Sequence, residues 1–322
     1  MRRNRLGRSA VEITELSFGA AAIGNLFTEV DPARAAAAVD AAWDEGVRHF
    51  DTAPHYGLGL SERRLGDALR HRPRDAYTVA TKAGRLLDPL SPAETAALNG
   101  LSDGFAVPHT HRRRWDFSAD GIRRSIEDSL GRLGLDRIDV VHLHDPDDHA
   151  EAAFREGYPA LEKLRAEGMV GAIGAGMNQT AMLTRFLRET DVDVVLCAGR
   201  FTLLDHSALD TLLPEAAARG RGVIVGGVFN SGLLADPRPG ATYDYAAAPA
   251  PLLDRALRIR AVAEDHGVPL RAAALRYPLG HPAVAGVLVG TRSPDEVRDA
   301  AAQLRTPVPD ALWDDLRARG LL

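Results

Sequence analysis

The sequence predicts an α/β protein built as a closed (β/α)8 barrel, that is, a TIM barrel. Short β-branched runs alternate about eight times with longer Ala-, Leu- and Arg-rich stretches of helical period. The chain has 322 residues, a length that one barrel with long loops occupies. Doubly wound sheets usually have fewer strands and a glycine-rich first turn. We therefore expect a single domain over residues 1–322.

Strands and helices alternate in the order that a barrel requires. Ser and Asp side chains cap helix N-termini, so helices are predicted to begin at Asp31-Pro32, Ser61-Glu62 and Ser118-Ala119-Asp120, the third ending at Gly134. Strands are predicted over 15–19, 47–51, 77–82, 138–144, 170–176, 192–198, 222–227 and 286–290. Later helices are predicted over 152–167, 179–188, 209–219, 251–265, 271–278 and 294–303.

Three segments depart from the repeat. Residues 2–12 precede the first barrel strand, and the turn Leu6-Gly7-Arg8-Ser9 predicts a β-hairpin that plugs the barrel bottom. Residues 85–117 follow the third strand and are too long for an ordinary loop, so they form either a lid or binding loop, or a disordered insert. Residues 236–251 make a second long loop at the same C-terminal face of the barrel.

Composition narrows the class of protein. Lys and Arg number 39 against 44 Asp and Glu, a net charge of -5, so no nucleic-acid partner is expected. Cys197 is the only cysteine, which excludes an internal disulfide and suits the cytoplasm. No stretch approaches a membrane span, and Glu12 and Glu15 interrupt what a signal peptide would need. The short basic run over 111–114 is interpreted as a solvated loop or a minor anion contact.

Four polar side chains are predicted to lie at the catalytic mouth, where barrel strands end. They are Asp51 after the second strand, Tyr56 in its loop, Lys82 at the end of the third and His144 at the end of the fourth. The pKa of tyrosine is about 10, too high for a base at neutral pH unless a cation stabilises the phenolate. Lys82 is the candidate cation, Asp51 would orient it, and His144 would hydrogen-bond the substrate oxygen.

These residues resemble the aldo-keto reductase superfamily, whose (β/α)8 barrels bind an extended nicotinamide cofactor without a Rossmann domain. The resemblance implies that Asp51, Tyr56, Lys82 and His144 form the family's catalytic tetrad. The matching segments span nearly the whole chain: Leu6-Gly7-Arg8-Ser9, Phe50-Asp51-Thr52-Ala53, Tyr56-Gly57, Glu62-Arg63-Arg64-Leu65-Gly66, Ala80-Thr81-Lys82, residues 125–136 and Leu143-His144.

His142 needs a separate interpretation, because residues two apart on a strand face the same way. We expect His142 to be a hydrogen-bonded residue one layer below His144. A metal site built on this pair, or on His109 and His111, is the weaker interpretation, since no Cys or carboxylate stands at a helpful spacing. No metal is expected.

The resemblance also implies the cofactor contacts. Asn178 matches the amide-binding Asn after strand five, while no Gln follows strand six and glycines replace the stacking aromatic after strand seven. Backbone amides and a helix N-terminus in two later loops are expected to hold the phosphates. These loops contribute Gly227, Asn230, Gly232, Leu234, Gly290, Thr291, Arg292 and Glu296.

Cofactor preference depends on Glu296. It stands where NADP-using relatives commonly carry a basic side chain for the 2′-phosphate, and a carboxylate would repel that phosphate while accepting a ribose hydroxyl. Arg292 favours NADP instead, since it is able to bind the 2′-phosphate. NAD is therefore the expected cofactor, with NADP as the alternative.

Residues 198–205 and 226–232 resemble the aldose 1-dehydrogenase branch, which comprises L-fucose, D-threo-aldose and L-galactose dehydrogenases with pyridoxal 4-dehydrogenase as a close relative. The resemblance implies a small-molecule substrate, a free aldose oxidised at C1 to the lactone with Tyr56 as general base. Three alternatives remain: NADPH-dependent reduction of aldehydes or ketones, oxidation of pyridoxal, and a non-catalytic regulatory barrel. The sugar is expected to be selected by residues 23–27, 105–115 and 229–245.

Overall fold

The computed structural model describes residues 1–322 and confirms the predicted barrel. The strands are β1 (Arg3–Arg5), β2 (Glu12–Thr14), β3 (Leu16–Gly19), β4 (His49–Asp51), β5 (Thr78–Ala83), β6 (Arg85–Pro89), β7 (His111–Trp115), β8 (Ile138–His144), β9 (Val170–Met177), β10 (Val194–Ala198), β11 (Gly222–Gly226), β12 (Thr242–Tyr243), β13 (Ala246–Ala247) and β14 (Val284–Gly290). Eight parallel strands close in the order β10-β11-β14-β3-β4-β5-β8-β9, with β9 returning to β10.

Helices surround the barrel. Two of the predicted cap signals are confirmed, whereas the helix predicted to begin at Ser61 begins at Leu60, after Gly59 and without a side-chain cap. The Asp31 carboxylate accepts from the amides of Ala33 and Arg34 at the start of α1, and Ser118 caps α4. No helix is both long and apolar enough to cross a membrane. The helices are α1 (Pro32–Asp44), α2 (Leu60–Leu69), α3 (Pro92–Ala97), α4 (Ala119–Leu133), α5 (Ala150–Ala152), α6 (Tyr158–Ala166), α7 (Thr180–Glu189), α8 (Leu212–Arg219), α9 (Ala250–Asp265), α10 (Leu270–Arg276), α11 (Pro294–Arg305) and α12 (Asp310–Ala318).

The N-terminal hairpin closes the bottom of the barrel, as predicted. β1 pairs antiparallel with β2, and the fully buried side chains of Leu6 and Ile13 join the apolar cluster of the barrel interior. Gly7 sits in the turn with φ +53°, and a Cβ there would lie 2.4 Å from the Asp193 carbonyl oxygen. Only glycine fits this close approach.

The insertion over 85–117 is folded, so the alternative of a disordered insert is wrong. β6 and β7 form an antiparallel hairpin in which Arg85 is opposite Trp115, and α3 lies between them. The loop over 236–251 also carries a small hairpin, β12–β13. Both hairpins extend from the C-terminal face of the barrel, where the site lies.

Candidate active site

The structure brings the four predicted side chains together. Asp51 and His144 are the last residues of β4 and β8, Lys82 lies near the end of β5, and Tyr56 follows in the β4–α2 loop. Lys82 Nζ is 2.6 Å from Asp51 Oδ1 and 4.7 Å from the centroid of the Tyr56 ring. The rings of Tyr56 and His144 are 5.9 Å apart.

Lys82 is a buried cation. Its ammonium donates to Asp51 and, at 3.0 Å, to the Thr52 carbonyl oxygen, and its side chain is only 3% exposed. Burial alone would lower the pKa of Lys82, but Asp51 and Tyr56 together raise it above its ordinary value. The lysine therefore keeps its charge at neutral pH and holds it beside the phenol.

The electrostatic environment of Tyr56 has two opposing parts. Burial raises the pKa of Tyr56 above its ordinary value, and the charge of Lys82 lowers it. Lys82 acts in the direction that the sequence predicts, but the net shift is upward because desolvation of the phenolate is the larger effect.

His144 is neutral at neutral pH. Burial, Arg85 and Lys82 hold the pKa of His144 well below its ordinary value. Its Nε2 lies 3.7 Å from Asp145 Oδ2, and its Nδ1 has no protein partner. A neutral imidazole is able to donate a hydrogen bond to a substrate oxygen or accept one from it.

His142 is buried in the barrel as expected, but the expected hydrogen bonding is not found. Neither of its ring nitrogens has a hydrogen-bond partner, and burial lowers the pKa of His142 to about 3. No three potential ligand side chains gather into a metal site.

The insertion supplies one wall of the site. The buried ring of Phe105 stacks on Tyr56 with centroids 5.9 Å apart, and its centroid is 5.2 Å from that of His55. Arg113 of β7 ties the wall to the β4–α2 loop by donating to the His55 carbonyl oxygen at 3.1 Å. Sequence reasoning gave Phe105 and His55 no individual role. The adjacency of His55 to Tyr56 was an available signal, whereas Phe105 lies in a stretch without periodicity.

The rim of the mouth joins two of the segments predicted to select the substrate. The exposed rings of Phe27 and Tyr245 approach to 6.0 Å between centroids. Tyr245 stands at the tip of the β12–β13 hairpin, whose neighbouring residue Asp244 pairs with Arg200 at 3.0 Å. The loops after β3 and β11 thus meet above the barrel.

The half of the mouth formed by β9, β10, β11 and β14 suits an extended cofactor. Its strand ends carry Gly176, Ala198, Gly226 and Gly290, and a Cβ added at Gly290 would meet only one atom, the Gly19 carbonyl oxygen at 4.0 Å. None of these four side chains is larger than a methyl group. The predicted amide ligand Asn178 directly follows β9 at this edge.

The loop after β11 contains the next group of predicted cofactor residues. The backbone amides of Asn230, Gly232 and Leu234 all donate within their own turn, so they are not free for a phosphate as the sequence suggested. Asn230 Oδ1 is buried without a partner, which leaves it available to a ligand. Gly227 has φ +63° and starts the turn.

The loop after β14 places Arg292 and Glu296 against each other. Arg292 Nε is 3.1 Å from Glu296 Oε1, and Glu296 also accepts from the Arg292 amide at 2.8 Å. Glu296, which favours NAD, and Arg292, which favours NADP, therefore form one ion pair. Buried Thr291 lies beside them, and its hydroxyl also lacks a partner.

A closed (β/α)8 barrel that carries a charged lysine, a phenol and a neutral imidazole at its strand ends defines a TIM-barrel enzyme with a proton-transfer site. Sequence comparison gives the particular family. The chain belongs to the aldo/keto reductase family, whose profile matches residues 15–319. It is an oxidoreductase of a family that uses nicotinamide cofactors.

Three similar proteins illustrate the match. The chain is 46% identical to D-threo-aldose 1-dehydrogenase from Pseudomonas sp, with 98% of this chain and 96% of that protein covered. It is 39% identical to pyridoxal 4-dehydrogenase from Microbacterium luteolum, with coverage of 99% and 98%. The holo structure of an aldo-keto reductase from Bacillus halodurans superposes with a TM-score of 0.76 at 26% identity, covering 99% of this chain and 96% of that one.

Proposed function

We propose that this chain oxidises C1 of a free aldose to the lactone, with a nicotinamide dinucleotide as the oxidant. The observation that carries the proposal is the gathering of Tyr56, Lys82, Asp51 and His144 at the mouth of the barrel. The 46% identity to a D-threo-aldose 1-dehydrogenase supports the aldose as the substrate class.

Each side chain has a distinct task in this reaction. Tyr56 takes the proton of the C1 hydroxyl, Lys82 stabilises the phenolate, and Asp51 holds Lys82 in place. His144 hydrogen-bonds the same substrate oxygen and orients C1. A bound nicotinamide supplies the hydride acceptor. When the C1 hydroxyl loses its proton and C1 its hydride, a carbonyl forms and the lactone leaves.

The pH dependence should follow the ionisation of Tyr56. Oxidation needs the phenolate and reduction needs the phenol, and burial raises the pKa of Tyr56. We expect kcat for oxidation to rise with pH from about pH 6 to about pH 9 without reaching a plateau, and kcat for the reverse reduction to stay flat over this range because the phenol remains protonated. Because His144 stays neutral, it adds no second ionisation there. Steady-state rates in both directions test this, and parallel profiles would contradict the assignment of Tyr56.

We also propose that NAD is preferred to NADP, because Glu296 neutralises Arg292 at the expected 2′-phosphate position. The substitution Glu296→Gln should free Arg292 and raise the NADP/NAD ratio of kcat/KM by about 10-fold, the size of one charge-assisted hydrogen bond. Asp295→Asn is the matched control, since it removes the same charge from an exposed neighbour that faces Arg298 instead. An equal change in both variants would mean that net charge, not the pair, sets the preference.

The substrate is tested by incubating the protein with NAD and a panel of L-fucose, L-galactose, D-arabinose and pyridoxal while NADH is recorded. The proposal predicts turnover of a sugar with the lactone as product. The identity to pyridoxal 4-dehydrogenase favours pyridoxal as the second candidate. A preference for pyridoxal, a preference for aldehyde reduction with NADPH, or an inert barrel would each overturn the proposal.

A further inference from the structure

A second charged group lies beside the tetrad and has no part in the chemistry proposed above. Arg85, the first residue of β6, donates through Nη2 to Asp145 Oδ2, and Asp145 directly follows His144. The side chains of Arg85 and Asp145 are 14% and 38% exposed, so the pair is half-buried with its carboxylate toward solvent. The guanidinium carbon of Arg85 lies 4.1 Å from the centroid of the Trp115 ring, in a cation–π contact.

This group has unused hydrogen-bonding capacity. Arg85 Nε is buried without a partner, and so is Nδ1 of His55, whose ring lies 5.6 Å from that of His144. Buried polar atoms are normally paired, and an unpaired cluster indicates that a ligand or water completes it. If Arg85 and His55 only closed the wall of the barrel, apolar side chains would do so equally well and would leave no buried polar atom unpaired.

The backbone at Asp145 is held in an uncommon conformation. Its φ is +39°, in the left-handed region that non-glycine residues rarely occupy, and its amide donates to the Gly176 carbonyl oxygen at 3.0 Å. Such conformations cost free energy and cluster at functional sites. Here the conformation turns the carboxylate toward the mouth, where Oδ2 lies 3.7 Å from His144 Nε2.

The position of the pair fixes what it is able to contact. Arg85 and Asp145 follow β5 and β8, whereas the predicted cofactor residues follow β9, β11 and β14 on the other half of the mouth. A substrate whose reacting oxygen lies between Tyr56 and His144 would therefore have the rest of its body next to Arg85 and Asp145. A guanidinium and a carboxylate side by side offer donors and acceptors together, which suits neighbouring hydroxyl groups.

We propose that Arg85 and Asp145 form a subsite that binds hydroxyl groups of a polyhydroxylated substrate beyond its reacting carbon. This inference rests on the proposed function and names the residues that select the aldose. The pair then does more than fasten the β6–β7 hairpin to β8. Removing either side chain should lower the activity most for the substrates that present the most hydroxyl groups.

The test is a cycle of substrates and variants. Arg85→Lys and Asp145→Asn should each raise KM for the best aldose by about 10- to 100-fold, since Lys lacks the planar fork of donors that Arg presents and Asn lacks the charge that strengthens the hydrogen bonds to the substrate. Asn also tolerates the left-handed conformation, so the second variant should fold. A monodeoxy aldose that lacks the contacted hydroxyl should bind the parent enzyme weakly and show no further loss in the variants.

Arg124→Ala is the control, because Arg124 of α4 makes exposed ion pairs with Asp88 of the same hairpin and with Asp128, outside the segments expected to select the substrate. KM should stay within about 2-fold there, as expected for exposed ion pairs. Equal losses on the aldose and every deoxy analogue, or losses matched by the control, would overturn the subsite and leave only a fastening role.

The two proposals fail in different ways. If the parent enzyme oxidises no aldose, the proposed function is wrong, and the same cycle is run on the reduction of glyceraldehyde and propanal. The subsite then predicts a preference for glyceraldehyde that both variants abolish. An unchanged preference would overturn the subsite.

Discussion

Replacing Tyr56 by Phe should lower kcat for oxidation by about 10²- to 10⁴-fold, the usual contribution of a general base. The ring is packed between Phe105 and His144, with centroids 5.9 Å from each, so phenylalanine keeps the wall intact. Only the hydroxyl that carries the proton is lost. Cofactor affinity should change by less than about 2-fold, because the predicted cofactor residues follow β9, β11 and β14 on the other half of the mouth and the substitution removes no contact expected with the cofactor.

The measurement pairs steady-state kcat with a fluorescence titration of NAD. Tyr158→Phe is the control, since it also removes one tyrosine hydroxyl, there bonded to Glu162 at 2.7 Å on an outer helix. It should leave kcat unchanged. Loss of NAD binding in the Tyr56 variant would mean that this loop is structural, and retained turnover would mean that another group moves the proton.

The sequence predicts the tetrad because its members are fixed by local rules. The strand run that ends at His144 and the break at Pro54 after Asp51 are visible in the order of residues, and the barrel topology brings strand ends to one face. The same rules predict the cap at Asp31 and the stop at Gly134. Lys82 and Tyr56 are predicted in the same way, from their positions at a strand end and in the loop after one.

Other parts depend on contacts between segments far apart in sequence. The sequence of β7, His111–Trp115, contains three arginines and does not alternate apolar and polar residues. Only its pairing with β6 makes it a strand. The pairing of Arg292 with Glu296 is local instead, but Arg292 precedes Ser293, the N-cap of α11, so helical spacing does not predict it. In contrast, α12 was missed although Leu312 and Leu316 are buried at helical spacing, a signal present in the sequence.

Replacing Lys82 by Met should impair both activity and stability, and the two effects are separable. Asp51 is 2% exposed, and its partner in the variant would be gone. Removing one member of a buried pair leaves an uncompensated charge, which costs about 3–5 kcal/mol. Oxidation should fall by about 10²-fold or more, because the charge that opposes the rise in the pKa of Tyr56 is removed.

The double variant Asp51→Leu, Lys82→Met separates these effects. A buried pair replaced by apolar side chains of similar size is often as stable as the original, so urea unfolding should show most of the lost free energy restored. Turnover should stay low, because Tyr56 still lacks its cation. A double variant as unstable as Lys82→Met would mean that the unpaired, buried charge of Asp51 is not the cause of instability. Recovered turnover would mean that Lys82 acts through the fold alone, and that Tyr56 works as a base without a neighbouring cation.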